Sequence, residues 1–170
     1  MDFDEPHVLK LLRAIKEQYV LDWKGIHGAS HWARVWVNGM RLAEETGAIR
    51  EVVGFFALFH DARRFNDRTD PEHGKRGADL AARWRGEFFD LNNEDFDLLY
   101  TACAYHADGL TEAEVTVQTC WDADRLDLGR VGIQPTSRYL CTEAARGIDI
   151  LKWADSRACL HYFPENVFLS

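Results

Sequence analysis

Apolar positions recur along most of the chain at intervals of three and four, the spacing that lines one face of an α-helix. Val8, Leu11, Leu12, Ile15 and Tyr19 follow Pro6 in this way, so a first helix is expected over 6–23, with Gly25 and Gly28 breaking the pattern. Ser30 stands where an N-cap would, and a second helix over 31–46 stops at Gly47. His31, Arg34, Val35 and Asn38 fall on one face of it. A third helix, over 49–64, is apolar nearly all round in its second half, as a central buried helix should be. Residues 65–74 read as a polar loop, and helices follow over 75–85 and 93–107, the latter with Phe96, Leu99, Cys103 and His106 on one stripe. A sixth helix is expected over 112–128 and a seventh over 137–158, after the break at 132–135. Only Val115-Thr116-Val117 alternates like a strand, and it is short. The pattern predicts an all-α fold: one compact helical bundle of about six to eight helices over 1–170, with no repeat or linker to divide it.

The most hydrophobic stretch, from Val52 to Phe59, runs straight into His60-Asp61. His60 lies one turn past Phe56 and points where the core residues point. An imidazole and a carboxylate are costly to bury side by side unless they share a partner, and a metal ion is the leading candidate.

The 170 residues suffice for a real hydrophobic core. No apolar run is long enough to span a bilayer, and the acidic start lacks the features of a secretory signal, so a cytoplasmic location is expected. Cys103, Cys120, Cys141 and Cys159 are widely spaced, with no CxxC pair, and read as reduced core thiols. A net charge of −8 opposes general binding to nucleic acid or to an anionic membrane. The charge is uneven, however: the segment 62–85 nets +3 against −11 elsewhere, and it begins directly after the His-Asp doublet. Such a segment is either ordinary solvated charge or an anion-attracting rim beside a metal site.

Three stretches stand in an ordered set: His31 in His-Trp-Ala-Arg-Val, the His60-Asp61 doublet, and Asp124 in Ala-Asp-Arg-Leu. Their order and separation resemble the HD-domain superfamily of metal-dependent phosphohydrolases, over about residues 28–132. That superfamily is all-helical and holds its metal with two histidines and two aspartates. The resemblance therefore implies that His31, His60, Asp61 and Asp124 bind one divalent ion, with Mn, Ni, Fe, Zn, Co and Mg not distinguished. The donor set is chemically apt on its own, since two imidazoles and two carboxylates form a mixed N/O site with positions left for water. Asp122 competes with Asp124, but two residues apart on a helix they face different ways. The Ala-Asp-Arg-Leu match favours Asp124, leaving Asp122 to pair with Arg125 or to accept from a ligand histidine.

His73 and His106 are either capping and surface residues or part of the site. In two-metal members of the superfamily extra histidines lie between the doublet and the final aspartate; in single-metal relatives they face the substrate phosphate or the attacking water. The short spacing here favours the catalytic role, and a second metal stays open. His27, in a turn before Gly28, fits a loop role as well as a site role. Arg34, one turn from His31, is placed to hold Asp61 or a substrate phosphate through two parallel hydrogen bonds. Arg63, Arg64, Lys75, Arg125 and Arg130 are candidates for binding substrate, and Asp67 or Asp70 for proton transfer.

The resemblance implies hydrolysis of a small phosphate ester or anhydride, a nucleotide foremost, by metal-activated water. Two other readings remain: a di-iron oxygenase of the same superfamily, and a module that senses a nucleotide without turning it over. No membrane or general nucleic-acid partner is expected, and oligomeric state is left open.

Overall fold

A helix that is apolar on every side must be enclosed on every side, and the fold is organised around that requirement. The computed structural model describes residues 5–162. Its helices are α1 (Pro6–Gln18), α2 (Ala29–Thr46), α3 (Arg50–Phe59), α4 (His73–Trp84), α5 (Asn93–Tyr105), α6 (Val115–Arg125), α7 (Glu143–Arg146) and α8 (Ile148–Cys159), with single 3-10 turns at Leu128–Val131 and Ser137–Tyr139. No strand forms among the described residues, so the all-α expectation holds. Every residue of α3 from Val52 to Phe59 is buried, against α2, α5, α6 and α4. Burial of each large side chain in this run contributes roughly 1.5–3 kcal/mol. α4 pairs with α5, and α8 packs against the turn at Leu128–Val131. The apolar side chains form one continuous core, and among the described residues no helix is long and apolar enough to cross a membrane.

Several boundaries differ from those the periodicity suggests, each for a local reason. α1 stops at Gln18 because Tyr19 takes extended backbone. The Tyr19 ring meets Trp23 and Trp32 edge-on, and its hydroxyl donates to the His27 carbonyl, so the apolar residues beyond Gln18 pack a loop rather than a helix face. α2 begins at Ala29 with Gly28, not Ser30, as its N-cap. Gly28 is required there, since a Cβ would collide with the Trp23 carbonyl. Val115-Thr116-Val117 opens α6, whose first turn is capped by the Glu114 carboxylate accepting from the Thr116 amide. The expected seventh helix is instead a 3-10 turn, α7 and α8. Buried Asp122 explains the interruption: its carboxylate accepts from the amides of Cys141 and Thr142 at 2.7 and 2.8 Å, donors that a continuous helix would use internally.

The cysteines are all free; Cys103 and Cys120 are in the core, Cys141 is half-buried and Cys159 is exposed, the last against expectation. Its thiol lies at the edge of the contact between α8 and the Leu128–Val131 turn, 3.8 Å from the Gly129 carbonyl and within reach of the Asp155 carboxylate four residues earlier, which accepts from it.

Candidate metal centre

Five helix ends meet at one place. α3 ends at Phe59 and is capped by His60, whose amide still bonds to the Phe56 carbonyl, and the next residue, Asp61, is buried. α4 begins at His73 and α5 is capped at its C-terminus by His106. These two are held together by Gly74, where a Cβ would strike the Cys103 carbonyl of α5. α2 supplies His31 from its first turn, and α6 supplies Asp124 from its last.

The ring nitrogens settle how the imidazoles are oriented. His60 Nδ1 faces the Phe56 carbonyl at 3.1 Å and His106 Nδ1 faces the Cys103 carbonyl at 2.8 Å. His73 Nδ1 faces the Asp70 carbonyl, and His31 Nδ1 meets the Asp127 carboxylate at 2.7 Å. A carbonyl or carboxylate oxygen only accepts, so each Nδ1 carries a proton, and Nε2 of a neutral ring presents a lone pair, as at His31, His60 and His106; His73 Nε2 instead has Asp61 Oδ1 at 3.2 Å and Arg64 Nη1 at 3.1 Å as partners. The Nε2 atoms face one another in two pairs, His31 against His60 at 3.0 Å and His73 against His106 at 2.9 Å. Two bare nitrogens at that distance repel unless a cation or proton lies between them.

The distances suit a cation. Two ligands at right angles about an ion, each about 2.1 Å from it, stand about 3.0 Å apart. Asp124 Oδ1 lies 3.4 Å from His31 Nε2 and 3.9 Å from His60 Nε2, and Asp61 Oδ2 lies 3.7 Å from His31 Nε2. The other carboxylate oxygen of Asp61 turns to the second pair, 3.2 Å from His73 Nε2 and 3.9 Å from His106 Nε2. Two groupings that could hold a metal ion thus form, His31 and His60 with the half-buried Asp124, and the buried His73, His106 and Asp61. Asp61 stands between them.

Electrostatics keep these groups in the form a metal needs. Burial holds His31 and His60 below the usual histidine value, and with the neighbouring His60 charge it takes His106 down to about 4. Burial alone would raise the Asp61 carboxyl, but hydrogen bonds from His27 and His73 and the fields of His60 and His31 carry it well below the carboxylate range. Asp124 is likewise lowered, the same histidines and Arg130 outweighing its burial. His73 goes the other way: burial works to lower it, but the bond to Asp61 and its charge raise it above its ordinary value.

Two supporting residues surround the set. His27 Nδ1 donates to Asp61 Oδ2 at 2.9 Å, and the His27 carbonyl takes hydrogen bonds from Tyr19 and Trp32, so the turn is fastened to the site. Asp127, which the sequence reading passed over, is fully buried and holds three donors: His31 Nδ1, and Arg34 through Nε at 2.6 Å and Nη2 at 3.1 Å. It orients His31 as a carboxylate behind a metal-binding imidazole does. A signal existed: His31 and Arg34 are three apart, as are Asp124 and Asp127, so two helical faces carry matched pairs.

An open cleft of ≈ 520 Å³ leads to these ligands. Asp61, His73, His106, Asp124, Arg64, Asp67, Arg125 and Arg130 line it, together with Arg68 and His27, which sequence reasoning did not assign to substrate. Arg64 reaches deepest, with Nη1 3.3 Å from Asp61 Oδ1 and 3.1 Å from His73 Nε2. Arg125 spends its guanidinium on the carbonyls of Tyr139 and Leu110, and Arg130 spends Nε and Nη1 on those of Ile26 and Asp127. Asp67 is an exposed residue of the rim.

Three candidates lie elsewhere. Arg34 is buried against Asp127 and the Tyr162 carbonyl rather than facing Asp61 or the cleft. Arg63 is bound to Gln18, and Lys75 is exposed on α4, paired with Asp79. Asp70, the alternative to Asp67 for proton transfer, is held by Arg76 and the Phe65 amide. Asp122 points away from the histidines to Cys141 and Thr142, whereas Asp124 faces them.

A scan of family models, a search of curated proteins and a search of solved structures each return no match to this chain. The site's class is therefore defined by its own geometry: a helical protein with buried His/Asp groupings that could hold a metal ion.

Proposed function

We propose that the chain is a metal-dependent phosphohydrolase of HD-domain type, acting on a small phosphate ester or anhydride such as a nucleotide. The observation that carries this reading is the convergence of four Nδ1-anchored imidazoles, each with its Nε2 turned inward, around Asp61 and Asp124 at the base of an arginine-rimmed cleft. His31, His60, Asp61 and Asp124 would hold a divalent ion. Bound there, it supplies Lewis acidity toward a phosphoryl oxygen and makes water acidic enough to react near neutral pH.

The chain's own residues do the rest. Arg68, exposed at the cleft, and Arg64, deeper against Asp61 and otherwise bonded to the Asn66 and Arg68 carbonyls, line the space, and guanidinium groups there bind phosphate oxygens and stabilise charge that builds on them. His73, whose affinity for a proton is raised by Asp61, is suited to holding a proton at Nε2 for the leaving oxygen. Asp127 and the Phe56 carbonyl keep His31 and His60 in the ligating tautomer. His27 shares Asp61 and steadies its orientation.

The second grouping already has a cation of the protein's own, because Arg64 Nη1 lies against Asp61 and His73. One ion beside Arg64 is the arrangement this favours. A second reading rests on the same four imidazoles: with Arg64 swung out, His73, His106 and Asp61 would take a second ion, and two irons there would suit oxidation by dioxygen. The test is to strip the purified protein of metal, restore single divalent ions, and assay nucleotides and generic phosphate esters. Metal-stimulated release of phosphate or pyrophosphate supports hydrolysis. Two irons per chain with dioxygen uptake would replace it with oxygenation, and tight nucleotide binding without turnover would leave a sensing module.

A further inference from the structure

The metal cleft is flanked by a second cavity of ≈ 240 Å³, and Gly109, Arg125 and Leu128 line both. Its far wall is Ile133, Pro135, Tyr139 and Leu140, with Gln134 and Thr136 as the polar side chains. Apolar side chains rarely cluster in the open without a purpose, and here Ile133 is 55% and Tyr139 60% exposed, with Leu110 and Val131 exposed close by in sequence.

The walls are fixed by buried charges rather than by the apolar residues themselves. Arg125, almost wholly buried, donates to the Tyr139 carbonyl at 2.9 Å and the Leu110 carbonyl at 2.6 Å, tying the two sides together. Asp122, fully buried, anchors Cys141 and Thr142 just beyond. These bonds hold the segment after Leu128 in place although it has little helix of its own. Both charges come from α6, the helix that also presents Asp124 to the histidines, so annex and metal ligands share one rigid support.

We infer that this annex receives the organic part of the substrate, and that this part is an aromatic ring carried on the phosphate. The inference rests on the proposed phosphoryl site. A ring offers the Tyr139 face an offset-stacking partner and covers Ile133 and Pro135 with few polar groups to satisfy. A sugar or polyol would bring hydroxyls for which the lining offers Gln134, Thr136 and an Arg125 already bonded to two carbonyls, and unpaired hydroxyls oppose binding.

Binding can be read without turnover, using phosphonates whose carbon–phosphorus bond is not hydrolysed. Calorimetric titration of the metal-loaded protein compares phenylphosphonate with methylphosphonate. Phenylphosphonate is expected to bind at least about tenfold more tightly, as burial of one ring's apolar surface allows. Tyr139→Ala and Ile133→Asp, both at exposed positions, should erase that preference and leave methylphosphonate binding as it was. Equal affinity for the two ligands, or a preference that survives both variants, overturns the inference alone. Failure of either phosphonate to bind in the presence of metal overturns the phosphoryl-site reading, and the inference with it.

Discussion

Asp127→Ala separates stability from metal affinity at a residue that touches neither cleft nor substrate. Asp127 holds His31 Nδ1 at 2.7 Å and grips Arg34 at 2.6 and 3.1 Å, and Arg34 is 1% exposed. Removing the carboxylate strands a buried guanidinium, with the Tyr162 carbonyl as its remaining partner. Breaking one side of a buried pair costs about 3–5 kcal/mol. It also frees His31 to rotate and change tautomer, and loss of such an orienting carboxylate weakens metal binding roughly 10- to 100-fold. Urea unfolding of the metal-free variant reads the first effect, and calorimetric titration with manganese reads the second. Adding Arg34→Met removes the stranded charge, so the double variant should recover much of the stability but none of the metal affinity. Wild-type metal affinity in Asp127→Ala would refute the orienting role, and parallel recovery of both quantities in the double variant would reduce the effect to folding alone.

Asp124→Ala should abolish binding of the metal held by His31 and His60 while keeping the fold, whereas Asp122→Ala should retain metal and lose stability by roughly 2–4 kcal/mol, as its three hydrogen bonds to Cys141 and Thr142 are lost; calorimetry and unfolding on each variant decide between them. Arg64→Ala should raise the metal count per chain above that of the wild type, since Arg64 Nη1 now sits against Asp61 and His73; elemental analysis showing equal counts would remove Arg64 as the competing cation. The metal-free protein should lose stability as pH falls from about 6.5 to about 4, because His106 titrates near 4 when folded and near 6.5 when unfolded, so the unfolded chain binds more protons over that window. His106 alone contributes on the order of 3 kcal/mol, His31 and His60 add in the same direction, and the raised His73, Asp122 and Asp127 oppose them. A urea midpoint no lower at pH 4.5 than at pH 7.5 would contradict this.

The helices were legible in sequence because periodicity is a short-range signal, and the ligand candidates because their order resembles that of a known family. α3 announced itself through an unbroken apolar run, and His60-Asp61 stood out as polar cost at its end. That Asp122 and Asp124 face different ways was legible from helical geometry, as the structure finds, whereas the choice of Asp124 rested on the Ala-Asp-Arg-Leu resemblance. What the sequence concealed depends on long-range pairing. Nothing local tells that Arg34 reaches Asp127, 93 residues away, instead of Asp61, or that Asp61 presents one oxygen to each pair of histidines. The break within 137–158 was hidden similarly, since the carboxylate that competes for its amides lies on α6. His27 was ambiguous because a histidine in a turn looks the same whether it faces solvent or a carboxylate; its place is fixed by the Tyr19, Trp23 and Trp32 cluster around the turn.

The central claim is that the bare Nε2 atoms of His31 and His60, with Asp61 and Asp124, hold a divalent ion. Anomalous diffraction from crystals of the manganese-loaded protein tests it most directly. A peak about 2.0–2.3 Å from both Nε2 atoms and from a carboxylate oxygen of each aspartate is the expected result. A fully loaded crystal whose manganese lies elsewhere, with those nitrogens still facing each other across an ion-free gap, would contradict it.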